Sequence, residues 1–271
     1  MTDYNELIMN NSDYLLNIKT VQASTIKLVI DAMKEILMDV NLEFDDTGMK
    51  IIALDNTHIV LIHLKLEAEK FEKYHCDKKL YVGINMLKFH MLIKTITNTD
   101  ILSLFILKSD PNILEITIEN GERNVKTTYK LSMLDIDVVG VDIPPQDFNT
   151  IITMPSAYLQ KIIRDMHNLA EYIEIKNIND KLILSCQGEF CCQETVLGTE
   201  KSQNINMKKN DNSQDVIQGV FSLKYLSIFT KCTNLCTTVE IYLKNSYPII
   251  LQYSIASMGT VRLCLAQKSD D

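Results

Sequence analysis

Basic side chains recur in pairs at helical spacing along this chain of 271 residues. Lys27 and Lys34, Lys88 and Lys94, Lys161 and Arg164, and Lys224 and Lys231 lie seven, six, three and seven residues apart, so each pair returns to roughly one face of a helix. The chemistry such faces offer is charge attraction rather than bond making. An amphipathic helix also solvates its outer face with lysine. These four segments, however, carry few compensating acids, chiefly Asp31, Glu35 and Asp165, and an ordinary surface mixes signs more evenly.

Residues for covalent or metal chemistry are scattered. Neither HExxH nor GxSxG occurs, and no two of the eight glycines stand close enough for a phosphate-cradling loop. His75 adjoins Cys76, but sequence adjacency does not make a dyad, and His58, His63, His90 and His167 neighbour no candidate nucleophile. Asp135-Ile136-Asp137 has the outline of a cation-binding pair, yet on a polar crossing segment these read as solvated acids. Cys232 and Cys236 stand four apart with no His or acidic pair beside them. Seven cysteines with no CxxC, two of them adjacent at Cys191 and Cys192, indicate reduced thiols in an intracellular compartment. The expectation is no enzyme, no metal and no cofactor.

The elements that must position the cations follow from an internal repeat. Leu42-Glu43-Phe44 and Lys50-Ile51-Ile52-Ala53 return as Ile173-Glu174-Ile175 and Lys181-Leu182-Ile183-Leu184, at a shift of 131. Ile26, Val29, Ile30 and Met33 return as Leu159, Ile162, Ile163 and Met166, Leu87-Lys88-Phe89 as Leu223-Lys224-Tyr225, and Pro111, Ile113, Leu114 and Ile118 as Pro248, Ile250, Leu251 and Ile255. Each half contains two helical patterns among strands. Ser24, Asn85, Ser156 and Ser222 are the expected helix openers, and Met49 to Leu54, His58 to Leu66, Ile101 to Leu107, Leu114 to Ile118, Leu182 to Cys186, Val239 to Leu243 and Ile249 to Ile255 read as strands. The fold class is therefore α+β: two tandem copies of one fold, with helices gathered on one face of antiparallel sheets.

Composition sets limits. A hydrophobic fraction of 46%, a charged fraction of 23% and few Pro or Gly exclude a disordered or collagenous chain, and a net charge of −8 excludes a uniformly basic one. Apolar runs stay far below the ~18 residues of a membrane span. Met1 to Tyr14, with Asp3, Glu6 and Asp13, reads as a polar extension rather than a secretory signal. Pro144, Pro145 and Pro155 follow the acidic run Asp135, Asp137 and Asp142 and mark a crossing segment. The expected layout is extension 1–14, domain 15–133, connector 134–149, domain 150–267 and tail 268–271. Abundant Asn, Ile and Lys suggest an AT-rich genome, that of a large DNA virus or a protist.

The runs Leu54-Asp55-Asn56-Thr57-His58-Ile59, Tyr74-His75-Cys76-Asp77, Ile143-Pro144-Pro145-Gln146-Asp147-Phe148, Lys161-Ile162-Ile163-Arg164-Asp165 and Phe229-Thr230-Lys231 resemble proliferating cell nuclear antigen, the eukaryotic sliding clamp, from about Leu15 to Lys268. The resemblance implies a homotrimeric ring whose helices line a hole for duplex DNA, a processivity factor with polymerase, clamp loader and motif-bearing proteins as partners. Phosphate attraction without base readout suits such sliding. It implies that Lys27, Lys34, Lys94, Lys161, Arg164, Lys224 and Lys231 face the hole, with Lys78, Lys79 and Lys88 nearby, while Leu28 and Met91 stand where the family usually has lysine. It maps a pocket for short hydrophobic and aromatic motifs onto Leu54, His58, Val141, Ile143, Phe148, Pro248 and Ala266, with Cys264 replacing an aromatic residue and Gln267 a proline. Strands near Glu122 to Lys130 and Phe190 to Gly198 would join subunits, Asn179 stands at the position of the family's principal modified lysine, and a nucleus or viral replication site is the implied location. A subunit of a checkpoint-type heterotrimer, a monomeric or dimeric viral processivity factor, and a scaffold that never encircles DNA are the alternatives.

Overall fold

The computed structural model describes residues 11–55, 57–138, 147–178, 181–198, 205–209 and 216–268. Its first repeat runs β1 (Tyr14–Thr20), α1 (Ala23–Met33), β2 (Asp39–Asp45), β3 (Gly48–Leu54), β4 (Val60–Glu67), β5 (Lys73–Cys76), β6 (Leu80–Asn85), α2 (Met86–Ile93), β7 (Asp100–Leu107), β8 (Asp110–Asn120) and β9 (Val125–Ser132). The second runs β10 (Thr150–Pro155), α3 (Ser156–His167), β11 (Tyr172–Ile178), β12 (Lys181–Gln187), β13 (Cys192–Gly198), β14 (Asn206–Lys209), β15 (Val216–Ser222), α4 (Leu223–Phe229), β16 (Thr238–Leu243), β17 (Ile249–Ile255) and β18 (Gly259–Leu265). The order is the same twice. Strand order repeats as well: β5-β1-β7-β8-β9 is matched by β14-β10-β16-β17-β18, and β6-β2-β3-β4 by β15-β11-β12-β13. The described registers are antiparallel. The α+β duplication read from the sequence is the fold observed.

By density of contacts the chain divides into two compact units, one within 1–27, 38–50 and 66–138, the other within 28–37, 51–65 and 139–271. In the first, the sheet β5-β1-β7-β8-β9 buries alternate residues such as Leu102, Leu104 and Ile106, as period-2 side chains must when one face is dry. Ile18, Ile26, Leu42, Phe89 and Leu104 close around one small apolar void. In the second unit Leu159, Ile163, Ile175, Leu226 and Leu251 do the same. The chain leaving each repeat is laid down alike: Leu134 N donates to Gly83 O at 2.8 Å, and Lys268 N to Val220 O at 2.9 Å. A side chain at Gly83 would place its Cβ 2.1 Å from Leu134 O, so the close approach requires glycine.

In the second unit β18 also neighbours β4, and Ala266 N donates to Ile59 O at 2.9 Å where they meet. The equivalents of β4 and β18 are β13 and β9. Each of those stands at the end of its sheet, partnered on one side only among the described residues.

Several local expectations need correction. Ser24 does not cap α1: the helix begins at Ala23, and Gln22 O accepts from Thr25 N at 3.0 Å. Ser156 does open α3 directly after Pro155, though its hydroxyl bonds Cys236 O at 2.7 Å instead of capping the helix, and Ser222 does stand at the N-cap of α4, without a capping side-chain bond. Asn85 does cap α2, accepting from Lys88 N at 3.0 Å. The pairing of Leu87-Lys88-Phe89 with Leu223-Lys224-Tyr225 is one residue out of step. The buried faces are Met86, Phe89 and Ile93 in α2 but Leu223 and Leu226 in α4, so Met86 matches Leu223 and Lys88 matches Tyr225. Residues 11–14 of the expected extension form a 3-10 turn and open β1.

Candidate nucleic-acid and partner-binding sites

The apolar stripes of α1 and α3 are buried as their spacing required, Ile26, Val29, Ile30 and Met33 in one and Leu159, Ile162, Ile163 and Met166 in the other. Their polar faces differ. Lys27 is half-buried, and its ammonium donates to Ile96 O just beyond α2. Gln160 occupies the same place in α3 and donates to Thr230 O at 2.9 Å, just beyond α4. Lys27 therefore helps to pack a helix, which reduces its freedom to meet a ligand. Lys34 donates to Asp31, and Lys231 pairs with Glu35. Thus in the second unit the end of α1 and the segment after α4 share a surface on which acid offsets part of the basic charge. Lys88, Lys94, Lys161, Arg164 and Lys224 are exposed. Lys78 is exposed too, while Lys79 lies 2.9 Å from Glu43 and 5.1 Å from the Tyr81 ring centre.

The candidate pocket is built around a tight loop. Asp55 is buried, and its carboxylate accepts from Ile59 N at 2.9 Å, Val60 N at 2.8 Å and the Thr57 hydroxyl. Burial would raise its pKa, but these hydrogen bonds outweigh that and hold it below the usual value. The turn puts His58 in the left-handed region, at φ 59°, and exposed, beside exposed Leu54. Tyr225 of α4 reaches the same loop, its hydroxyl 3.2 Å from Thr57 Oγ1 and 3.5 Å from Asp55 Oδ2. From Ile59 the contacts run to Ala266 through the strand joint, and Gln267 Nε2 donates to Tyr247 O at 2.9 Å, next to Pro248. Phe148 packs edge-on against Tyr242, centroids 5.2 Å apart, and against Tyr247 at 6.1 Å. Leu54, His58, Phe148, Pro248 and Ala266 are thus linked by a run of contacts, while Val141 and Ile143, like Asn179, lie outside the described residues. Asp55, Tyr225 and Tyr247 are contributors that sequence reasoning did not single out. The only sign of Asp55 was its place in the Leu54 to Ile59 run.

Across the sequence, the family description "Proliferating cell nuclear antigen, N-terminal domain" matches residues 15–140 and "Proliferating cell nuclear antigen, C-terminal domain" matches 142–268. The chain belongs to the proliferating cell nuclear antigen family. Among similar proteins, "Probable DNA polymerase sliding clamp 1" of Paramecium bursaria Chlorella virus 1 is 37% identical over 262 residues, covering 95% of this chain and 98% of that protein. "Proliferating cell nuclear antigen" of Chaetomium thermophilum is 32% identical over 262 residues, covering 95% and 99%. Met91 is 54% exposed on α2, beside Lys88 and Lys94, and Cys264 lies opposite Ile250 in β17, its thiol pushed up to about 11 by burial.

Proposed function

We propose that this chain is a DNA sliding clamp: a homotrimer that encircles duplex DNA, tethers a DNA polymerase and recruits other replication and repair proteins by short motifs. The observation that carries this reading is the joint of β4 with β18 inside the chain, whose equivalents β13 and β9 stand at sheet ends. Open edges are hazards unless they are paired, and a head-to-tail contact that repeats by rotation closes into a ring. Lys34, Lys88, Lys94, Lys161, Arg164, Lys224 and Lys231 supply sequence-independent attraction to phosphates, with Lys27, Lys78 and Lys79 in supporting places. The excess negative charge then lies elsewhere on the surface and discourages DNA from wrapping outside.

Partner motifs dock on Leu54, His58, Phe148, Pro248 and Ala266, together with Val141 and Ile143. The protein performs no catalysis, needs no metal or cofactor, and works in a nucleus or viral replication site, loaded by a clamp loader. The test replaces Lys27, Lys161, Arg164 and Lys231 together by Ala. Polymerase stimulation on a long primed template falls while binding of a clamp-binding peptide is retained. Unchanged stimulation removes the DNA-lining assignment and favours a scaffold that does not encircle DNA.

A further inference from the structure

The joint inside the chain is fixed at Ile59, whose carbonyl accepts the Ala266 amide at 2.9 Å. The shift of 131 that carries Lys50-Ile51-Ile52-Ala53 onto Lys181-Leu182-Ile183-Leu184 carries Ile59 onto Phe190. Leu134 on Gly83 and Lys268 on Val220 are equivalent contacts that set a shift of 134 at the ends of the repeats, which carries Ala266 onto Ser132. Phe190 is 79% exposed, the most exposed large apolar residue among those described, whereas Ile59 is 40% exposed. A lone exposed apolar residue is ordinary. This one stands two residues before β13, which is partnered on one side only among the described residues, and the exposed Val196 in β13 and Val125 in β9 place further apolar surface on the two strands to be joined.

We infer that Phe190 is the anchor of the joint between copies of this chain, occupying the place that Ile59 holds within the chain, its carbonyl taking the amide of Ser132 from the second copy. This rests on the ring reading and deepens it, because it fixes the register of the contact and assigns its hold to one aromatic residue. Aromatic side chains, Phe among them, are enriched at the cores of such contacts, and a few residues carry most of the binding energy. Because the side chain is already in water in the single chain, its removal leaves folding intact and acts on assembly alone.

The experiment is sedimentation equilibrium or light scattering over a concentration series for the wild-type protein, Phe190→Ala, Phe190→Leu and, as a control on the same sheet, Tyr172→Ala, with circular dichroism to verify folding. Phe190→Ala weakens each subunit contact by about tenfold or more, Phe190→Leu restores most of it, and Tyr172→Ala leaves assembly unchanged. A trimeric wild type whose dissociation is unmoved by Phe190→Ala overturns the anchor and leaves the ring standing. A wild type that never trimerises overturns both.

Discussion

The ammonium of Lys231, just beyond α4, pairs with the carboxylate of Glu35, just beyond α1, with both side chains nearly half exposed. A pair this open contributes little to stability, typically 0 to about 1 kcal/mol. On the DNA-lining reading proposed above, its larger effect would be to hold Lys231 back from a phosphate. Glu35→Gln is therefore expected to leave the melting temperature nearly unchanged. It should steepen the dependence of log K on log salt by up to about 0.9 for each cation released. Fluorescence anisotropy of duplex DNA at several salt concentrations reads this directly, and an unaltered slope would remove Lys231 from the interface.

The cations do not contribute equally. Lys27 is committed to Ile96 O, whereas Lys161 and Arg164 are exposed. Lys27→Ala is expected to cost roughly 1 kcal/mol in stability, the usual worth of a hydrogen bond with its packing, and little in DNA affinity. Lys161→Ala and Arg164→Ala should reverse that ranking. Urea melts beside DNA titrations of the three variants decide it.

Asp55 is the buried centre of the loop that presents Leu54 and His58. Loss of its carboxylate strands the amides of Ile59 and Val60, and hydrogen bonds to a charged group are worth about 1.5–3 kcal/mol each before relaxation. Asp55→Ala should therefore destabilise the fold by about 2 kcal/mol or more and weaken a clamp-binding peptide, measured by calorimetry, while Asp55→Asn keeps part of both. Full peptide affinity in Asp55→Ala would show that the loop does not shape the pocket.

Acid should expose a second carboxylate. Burial would raise the pKa of Asp45, but hydrogen bonds from Lys50 and Thr47 bring it down to about 2. The unfolded value is about 3.9. A depressed folded pKa means that this stabilisation is present above about pH 4 and is lost as pH falls toward 2. Asp45→Asn is thus expected to lower stability at neutral pH and to flatten the acid limb of a stability profile over that window. An acid limb identical to that of the wild type would contradict the assignment.

The duplication and its apolar faces were legible because burial imposes periodicity: Ile26 with Val29, Ile30 and Met33, or alternate residues in β7, can be read without knowing what they face. Short strands such as β5 and β14, with four residues each, carry too few positions for a period to emerge. The one-residue slip between α2 and α4 arose because two Leu-Lys-aromatic triplets look alike while helix burial follows Asn85 and Ser222. What no local pattern could reveal is commitment over distance. Lys27 on Ile96 O, Lys231 on Glu35 and Tyr225 at the Asp55 loop join residues 69, 196 and 170 positions apart. The candidate pocket was legible only in part for the same reason, since its described residues come from separate segments joined through Ile59, Ala266, Gln267 and Tyr247.

Topological linkage tests the ring most directly. The protein is loaded with a clamp loader and ATP onto nicked circular DNA, washed at high salt, and its retention is measured before and after the circle is cut once. An encircling clamp survives the wash on the circle, because salt screens its lysines but does not open the ring, and it slides off once the DNA is linear. Retention that is lost in high salt on the circle, or that persists after linearisation, would contradict the account.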